Sequence, residues 1–401
     1  MRLLHLSPWF PFPPGNGSEL RISALLRGLA AHHSVTLISF QRRPVADEAI
    51  HKAREILAGV QLVPWREFDP GSRRSRAGLL SSRPRSVVDT YSEDMEACIR
   101  QTMTAGHFEA VIVSELVMAA YWPAFEGLPA LLEDIELAIY SDQVETAASF
   151  ADRARRHLMW RKQSAYVRRL LPHFRGGTVV SPREQELLAR IAPNYKPVRI
   201  VPNGIDFAEY SRVAPNREAA TLIFTGAFTY QANYEAMIWF LEHVYPLVRR
   251  AAPAVRLIIT GDHAGKPLPP AENVILTGFI DDIKTAIAGA TICVVPILQG
   301  GGTRLKILEA MALGTPVIST TKGAEGLDAV HGQHLLLADT PDDFAAAILG
   351  LLSDAAAREN IAKNACRFVQ QRYDWANIIP EFLALVETVA KKDSNPDRIQ
   401  S

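Results

Sequence analysis

One segment constrains this chain more than any other, the stretch from residue 300 to 317, which reads GGGTRLKILEAMALGTPV. Three glycines precede a helix-forming run, Gly314 ends that run, and an apolar stretch follows Pro316. This order predicts a loop, a helix of about three turns, a glycine cap and a buried strand. Glycines let a ligand approach the backbone closely, and the start of a helix offers free N–H groups that suit phosphate.

The charged residues of this segment favour a ligand site over a solvated helix. Arg304 and Lys306 put positive charge in the first turn, where the helix dipole disfavours it, so we expect an anionic ligand to compensate. Leu305, Glu309 and Leu313 recur at a spacing of four and share one row of the helix. A carboxylate in that row is either solvated at the edge of a packed face or part of a site, and the adjacent glycines and cations favour the site.

Length and composition indicate a globular enzyme-sized protein. A chain of 401 residues is too long for one ordinary core and predicts about two domains. The formal net charge is zero, so the total gives no indication of nucleic-acid binding. Cys98, Cys293 and Cys366 lie far apart without metal-ligand spacing, which favours a reducing compartment over a disulfide framework or a zinc site. The apolar stretch at the N-terminus is interrupted by prolines and is too short for a signal peptide. The sequence contains no run of about 18 apolar residues, so no membrane-spanning helix is expected.

The charge is unevenly distributed along the chain. The first 205 residues contain 26 Lys and Arg against 21 Asp and Glu, and the remainder has the opposite imbalance. Much of the basic excess lies in two clusters, Arg73, Arg74, Arg76, Arg83 and Arg85, and Arg153, Arg155, Arg156, Arg161, Lys162, Arg168 and Arg169. These residues form either a solvated surface or a face that meets anionic lipid or an anionic acceptor.

The apolar pattern predicts two successive α/β series. The first begins with a strand at 3–7, a Pro/Gly loop, a helix at 19–31 and a strand at 35–40, and further strands are expected at 110–113, 130–132 and 177–180. Residues 41–90 show weak periodicity and are read as partly irregular. The second series has strands at 222–224, 255–259, 274–276, 292–295, 316–319 and 334–337.

This pattern predicts two Rossmann-like doubly wound domains that face each other across a cleft, with a junction near residues 197–206. Ligands of such sheets bind at the carboxyl ends of the strands, so the cleft is the expected site. Gly226 follows a predicted strand and is expected there. Gly17, in the loop after the first strand, is either part of a plain turn or offers backbone N–H groups to the cleft.

Asp134 and Glu136 follow another predicted strand and are either acid/base groups or structural residues. Asp281 and Asp282 are expected to cap a helix rather than to bind a metal. The dinucleotide fingerprint lacks its third glycine, and no P-loop, zinc-ligand spacing or nucleophile elbow occurs.

Several motifs together resemble those of the GT-B-fold retaining glycosyltransferases of the large family four. The resemblance covers nearly the whole chain, and its carriers are Pro202–Asp206, Phe224–Gly226, Ala232-Asn233 with Trp239-Phe240, Thr277–Phe279 and Gly302–Ala312. The last of these is the most specific. The resemblance implies a nucleotide-sugar donor, a GT-B fold and no essential metal.

The resemblance also implies roles for particular residues. Glu309 matches the second of two family glutamates and is expected to hold the donor ribose, whereas Gly301 stands where the first glutamate falls. Ile135 stands where the family often has a histidine, so Asp134 or Glu136 is expected to replace it. The residues expected to bind the donor are Gly17, Gly226, Phe279, Gly301, Gly302, Thr303, Arg304, Lys306 and Glu309, and those expected in catalysis are Asp134, Glu136, Arg304 and Lys306.

The sequence thus predicts a retaining, hexosyltransferase-like enzyme that uses a UDP- or GDP-sugar and no further cofactor. Residues 1–200, completed by a helix at 375–392, are expected to bind a glycan, a lipid-linked or a small-molecule acceptor, and residues 201–374 the donor. A cytoplasmic location is expected, with an anionic membrane surface as a further partner and no nucleic acid. The alternatives are a nucleotide-sugar epimerase or phosphorylase on the same fold, or a non-catalytic sugar-nucleotide-binding partner subunit.

Overall fold

The chain, seen in a computed structural model that describes residues 1–145, 149–214, 216–300 and 304–391, folds into two compact units. The first unit contains Met1–Pro202 and the C-terminal segment from Ile379 onward. The second contains Asn203–Ile378.

The first unit alternates strands and helices along its length. Its elements are β1 (Arg2–Ser7), α1 (Gly17–Ala30), β2 (Ser34–Gln41), α2 (Asp47–Ile56), β3 (Gly59–Pro64), α3 (Arg73–Ala77), α4 (Arg85–Thr90), α5 (Glu93–Ala105), β4 (Ala110–Ser114), α6 (Glu115–Ala119), β5 (Ala130–Glu133), α7 (Ala138–Glu145), α8 (Phe150–Leu170), β6 (Gly176–Val179), α9 (Pro182–Ile191) and β7 (Val198–Ile200). Short 3₁₀ turns at Trp122–Ala124 and Leu171–His173 precede β5 and β6.

The strands of the first unit form a parallel sheet whose order, over the described residues, is β3-β2-β1-β4-β5-β6-β7. Because helices cover both faces of such a sheet, its central strands are continuous apolar runs, and every residue of β4 is buried. The chain reverses its direction of winding between β1 and β4, which is where ligands bind in folds of this kind.

The second unit repeats this arrangement with fewer strands. Its elements are α10 (Phe207–Tyr210), β8 (Thr221–Thr225), α11 (Gln231–Trp239), a π-helical turn (Phe240–Val244), α12 (Tyr245–Ala251), β9 (Arg256–Thr260), β10 (Val274–Gly278), α13 (Ile283–Gly289), β11 (Ile292–Val295), α14 (Leu305–Ala312), β12 (Val317–Ser319), β13 (Leu336–Leu337), α15 (Pro341–Ser353), α16 (Ala355–Arg372) and α17 (Trp375–Ala390), the last of which continues into the first unit.

In the described part of the second unit, the parallel sheet has the order β10-β9-β8-β11-β12-β13. Its reversal point lies between β8 and β11, and all five residues of β8 are buried. The predicted α/β class with two doubly wound sheets is therefore confirmed. Among the described residues, no helix combines the length and apolar character needed to cross a bilayer.

The segment that opened the sequence argument folds largely as predicted. Helix α14 packs with its leucine and methionine side chains buried, and Gly314 follows it with a positive φ of 69°, as a glycine cap requires. The chain then enters β12. The helix is shorter than expected, at eight residues, because Arg304 lies outside it as the N-cap residue.

The range 41–90 is partly irregular, as predicted, but it also contains regular elements that the sequence pattern did not reveal. Helix α2 and strand β3 lie within it, and β3 pairs with β2 over six residues. Only two of the six β3 residues are buried, because β3 is the edge strand of the sheet. An edge strand needs few apolar residues, which explains the weak signal.

Candidate functional site

The first candidate site lies where β8 ends, next to the reversal point of the second sheet. Lys306, from the first turn of α14, donates a hydrogen bond from Nζ to Oδ1 of Asn233 over 2.8 Å. The Asn233 amide in turn donates to the carbonyl of Ala227 over 2.9 Å, which fixes its orientation. Together, Gly226, Asn233 and Lys306 form what we call the lysine site.

Gly226 makes this arrangement sterically possible. A Cβ atom at this position would lie 2.6 Å from Nδ2 of Asn233 and 2.9 Å from Nζ of Lys306, and the φ of Gly226 is +153°. Both the conformation and the space exclude a side chain. The structure thus brings together the sequence-predicted residues Gly226 and Lys306, and it adds Asn233, whose role the sequence argument had not identified.

The surroundings of Lys306 disfavour the charged form of its amine. Burial lowers the pKa of its ammonium to about 7, and the guanidinium of Arg304 acts in the same direction. The Nζ atom also lies 4.3 Å from the centroid of the Phe224 ring, an arrangement that favours the charged form. An anion that reached Nζ would restore the proton, since an opposite charge nearby raises the pKa of a lysine.

Glu309 lies one turn further along α14 and is half-buried. The hydroxyl of Tyr210 donates to Oε1 of Glu309 over 2.7 Å, and burial raises the pKa of the carboxyl. Lys306 and Lys284 act against that rise. The carboxylate therefore accepts a hydrogen bond from a neutral donor, the Tyr210 hydroxyl. Tyr210 is a further residue that the sequence argument missed.

Arg304 is buried at 6% exposure and spans two loops. Its NH2 group donates to the carbonyl of Gly300 over 3.0 Å and to the carbonyl of Lys322 over 2.9 Å. Sequence reasoning treated Arg304 and Lys306 as equivalent, but the structure separates them. Arg304 connects backbone segments, whereas Lys306 contacts side chains of the lysine site.

The donor roles of four further predicted residues stay predictions. Gly301, Gly302 and Thr303 lie outside the described residues. Phe279 follows β10, the edge strand of the second sheet, and is 83% exposed. Its donor role stays a prediction. Asp282 caps α13 by accepting from the backbone N–H of Thr285 over 3.0 Å, as expected.

In the first unit, the glycine loop after β1 is organised by its own side chains. Asn16 caps α1 by accepting from the N–H of Glu19, and Glu19 accepts from the N–H of Gly15 over 2.6 Å. The two bonds resemble a capping box, except that Glu19 accepts from Gly15, the residue before the N-cap. The buried Glu19 carboxylate also pairs with Arg43 over 2.7 Å. Gly17 is the first residue of α1, and its predicted role in donor binding stays a prediction.

The second candidate site follows the carboxyl ends of β4 and β5 and contains four carboxyl groups. We call it the carboxylate cluster, formed by Glu115, Glu133, Asp134 and Glu136. Glu133 is fully buried and pairs with the buried Arg21, whose Nε lies 2.6 Å from Oε1. The same Nε lies 3.8 Å from Oδ2 of Asp134.

Burial keeps protons on much of this cluster. It raises the pKa of Glu115 to about 7, with the charge of Asp134 acting in the same direction. It also raises the pKa of Glu136 to about 7 and raises that of Asp134 against the opposing effect of Arg21. Near neutral pH, part of the cluster is therefore protonated and can donate hydrogen bonds as well as accept them.

Glu115 is the member of the cluster that sequence reasoning missed. It opens α6 directly after β4 with a φ of +64°, which is unusual for a residue with a side chain. The indole N–H of Trp9 donates to its Oε1 over 2.8 Å, and the Arg42 guanidinium lies 3.8 Å from the centroid of the Trp9 ring. The signal in the sequence was its position directly after a buried strand, the same signal that identified Asp134.

The segment that contains the lysine site resembles a known protein family. Residues 219–354 match the family described as glycosyl transferases group 1. Over this segment the chain is similar to that family, and the predicted resemblance is confirmed there. The match lies within the second unit, and the whole of the first unit lies outside it.

The chain also resembles curated relatives over part of its length. The chain is 30% identical over 164 residues to an uncharacterized 44.6 kDa protein in the cps region of Klebsiella pneumoniae, which is 38% of this chain and 42% of that protein. It is 30% identical over 207 residues to a phosphatidyl-myo-inositol mannosyltransferase of Mycolicibacterium smegmatis, which is 47% of this chain and 52% of that protein. The chain thus spans about half the length of the curated relatives it matches.

A solved structure shares the fold over nearly the full length. Anabaena HepE in complex with UDP superposes with a TM-score of 0.65 at 15% identity, covering 97% of this chain and all of HepE. At this identity the likeness shows the fold alone.

Proposed function

We propose that this protein transfers a sugar from a nucleotide-diphosphate sugar to an acceptor with retention of the anomeric configuration. The observation that carries the proposal is the half-buried Lys306, whose amine is held by Asn233 at the glycine-lined carboxyl end of β8. That position next to the reversal of strand order is where nucleotides bind in doubly wound sheets. The family match and the UDP bound to HepE support a nucleotide-sugar donor.

Lys306 binds the diphosphate in this proposal. The pKa of its amine is about 7, so a dianionic ligand draws a proton onto the amine and then holds it by charge. The negative charge on the diphosphate grows as the bond to the sugar breaks. The interaction with Lys306 is therefore stronger in the transition state than in the ground state, which is the condition for catalysis.

Glu309 binds a hydroxyl pair of the donor ribose through the carboxylate oxygen that Tyr210 does not occupy. A hydrogen bond to a charged acceptor is worth about 1.5–3 kcal/mol. Arg304 acts one step removed, because its contacts with two carbonyls support the loop before α14. Its charge adds to the positive potential that Lys306 presents.

The transfer step needs no other cofactor. The bond between the anomeric carbon and the diphosphate oxygen breaks, and its electron pair stays on the diphosphate. An acceptor oxygen forms the new bond on the same face of the sugar, which retains the configuration, and its proton passes to a diphosphate oxygen. UDP-sugars and GDP-sugars are both compatible with this chemistry.

The first unit binds the acceptor in this proposal. Its carboxylate cluster contains protonated and ionised groups near neutral pH, so it suits a substrate rich in hydroxyls. Asp134 and Glu136 remain the candidates for orienting the reacting hydroxyl, and Glu115 joins them. The acceptor is a glycan, a lipid-linked glycan or a small molecule.

A lipid-linked acceptor is favoured by the surface that the basic clusters form. Lys162 of α8 donates to the carbonyl of Gly78 over 2.7 Å, which joins the two clusters. Leu80 on this surface is 95% exposed, and Leu158 is 68% exposed. Leucines among arginines suit the headgroup region of an anionic bilayer. One relative is named for mannosyl transfer to phosphatidyl-myo-inositol, which supports a lipid acceptor.

The donor half of this proposal is tested by thermal shift and calorimetry with UDP, GDP, their hexose derivatives and the free nucleosides. We expect one base series to raise the unfolding temperature, because a ligand that binds the native state stabilises it. Lys306→Met should weaken the binding of nucleoside diphosphates far more than the binding of free nucleosides. Lys363→Met, which removes an exposed lysine from α16, is the matched control. Equal weakening of diphosphate and nucleoside would exclude the proposed role of Lys306.

A further inference from the structure

A surface cavity of about 180 Å³ lies in the first unit, apart from the carboxylate cluster. It is built from the loop before α4, the turn after α6 and the end of α8, and its lining residues are Ser82, Arg83, Ala120, Trp122, Tyr166, Arg169, Leu170 and His173. The turns at Trp122–Ala124 and Leu171–His173 lead into the amino ends of β5 and β6. The carboxylate cluster, in contrast, follows the carboxyl ends of β4 and β5.

Two arginines give the cavity a positive rim. Arg83 and Arg169 are both exposed, and no acidic residue is among those that line the cavity. Arg169 donates to the carbonyl of Ser82, which holds it in place. The side chain of Arg83 makes no hydrogen bond or ion pair with any residue in the described part of the chain. The Glu96 carboxyl group is hydrogen-bonded to a tyrosine and to another arginine, which lower its pKa, and the charge of Arg83 lowers this pKa further.

The interior of the cavity combines an aromatic wall with a polar group. Trp122 stacks on His173 with ring centroids 3.4 Å apart and planes 11° from parallel. Tyr166 is only 4% exposed, and its hydroxyl has no hydrogen-bond partner among the described residues. Burial raises the pKa of this hydroxyl to about 12, with Arg83 and Arg169 acting against the rise. The two guanidinium charges therefore lie near the unpartnered hydroxyl.

We propose that this cavity binds a phosphate monoester between Arg83 and Arg169, with the body of the ester against Trp122. Guanidinium groups bind phosphate through paired, charge-assisted hydrogen bonds. A phosphate oxygen would also give the Tyr166 hydroxyl an acceptor. A cavity of about 150 Å³ holds a ligand the size of benzene, so this one suits a small ester and excludes a nucleotide sugar.

Two sources could supply such a phosphate. One is a lipid headgroup, because Leu79 and Leu80 are exposed on the same loop as Ser82 and Arg83. The other is a soluble phosphate ester. The site is separate from the lysine site, and its test uses binding alone, so failure of one assignment leaves the other standing.

The test measures binding of glycerol 3-phosphate by calorimetry, and of vesicles that contain phosphatidic acid by co-sedimentation. Arg83→Ala should weaken both at least tenfold, and Tyr166→Phe should weaken both severalfold. Arg54→Ala, which removes an exposed arginine from α2, should change neither. The assignment is overturned if wild type binds neither ligand saturably, or if Arg83→Ala behaves like Arg54→Ala.

Matched vesicles distinguish the two sources. Phosphatidylserine vesicles of equal surface charge carry no phosphate monoester, so they should bind more weakly than phosphatidic acid vesicles and should not respond to Tyr166→Phe. Lipid is the source if phosphatidic acid binds more tightly than glycerol 3-phosphate after correction for surface charge. A soluble ester is the source if glycerol 3-phosphate displaces the protein from phosphatidic acid vesicles and binds with an affinity equal to theirs. Equal response of both vesicle types to every variant would reduce the cavity to a general basic surface and overturn the proposal.

Discussion

Nζ of Lys306 lies 2.8 Å from Oδ1 of Asn233, and the amide of Asn233 is itself fixed by its bond to the Ala227 carbonyl. The lysine is thus held by a neutral acceptor and not by a carboxylate. Burial lowers its pKa to about 7, against the opposing effect of the Glu309 charge. This relationship makes the amine sensitive to the arrival of an anion.

Binding of a nucleoside diphosphate at pH 8 is expected to draw a proton from the buffer. Most of the Lys306 amine is neutral at that pH, and the bound diphosphate raises its pKa. Calorimetry in two buffers of different ionisation enthalpy measures the uptake. Lys306→Met should abolish it, Lys363→Met should preserve it, and wild type should lose it below about pH 6, where the amine is already charged. Equal uptake by wild type and Lys306→Met would contradict this origin.

Glu309→Gln is expected to weaken the binding affinity for a ribonucleoside diphosphate by about tenfold to a hundredfold. The reason is that a charge-assisted hydrogen bond is worth about 1.5–3 kcal/mol. The same variant should leave a 2′,3′-dideoxynucleoside diphosphate almost unchanged. Calorimetry with both ligands measures this difference, and Glu359→Gln on the exposed face of α16 is the control. If Glu309→Gln weakens both ligands equally, the carboxylate does not bind the ribose.

Arg304→Met is expected to lower the unfolding temperature as well as turnover. Its guanidinium donates to two carbonyls, and loss of a buried hydrogen bond to a charged group costs about 1.5–3 kcal/mol. Lys306→Met, in contrast, should lower turnover with little loss of stability, because it removes a charge that burial disfavours. Differential scanning calorimetry checks this contrast. A stable Arg304→Met variant would show that the two carbonyl contacts contribute nothing.

Glu115→Gln is expected to flatten the dependence of stability on pH. The pKa of Glu115 is about 7 in the folded chain and near 4.5 when unfolded, so the folded state binds the extra proton between these values. The stabilisation is present below about pH 4.5 and is lost as the pH rises through 7. Unfolding temperatures at pH 5 and pH 8 should therefore differ less in Glu115→Gln than in wild type. Glu93→Gln, at an exposed position of α5, should match wild type, and an unchanged difference in Glu115→Gln would place Glu115 in water.

The sequence predicted those parts of the fold and site that depend on local pattern. Continuous apolar runs identified the central strands, and the glycines and cations around α14 identified Lys306 and Glu309. The roles of Asn233 and Tyr210 were not predicted, because each contacts a residue of α14 that is distant in sequence. Asn233 lies 73 positions from Lys306, and Tyr210 lies 99 positions from Glu309. No local pattern encodes such distances. Arg304 and Lys306 differ in role for the same reason, since only the folded loops place two carbonyls beside Arg304.

The central claim is sugar transfer from a nucleotide-diphosphate sugar, and its most direct test is release of nucleoside diphosphate from a panel of UDP- and GDP-sugars. Acceptors in the assay should include glycans, lipid-linked glycans and water, and the anomeric configuration of the product is read by NMR. We expect one donor to be cleaved with retention by wild type and by Lys363→Met, and at least a hundredfold more slowly by Lys306→Met. Cleavage at an equal rate by Lys306→Met, or a product with inverted configuration, would contradict the account.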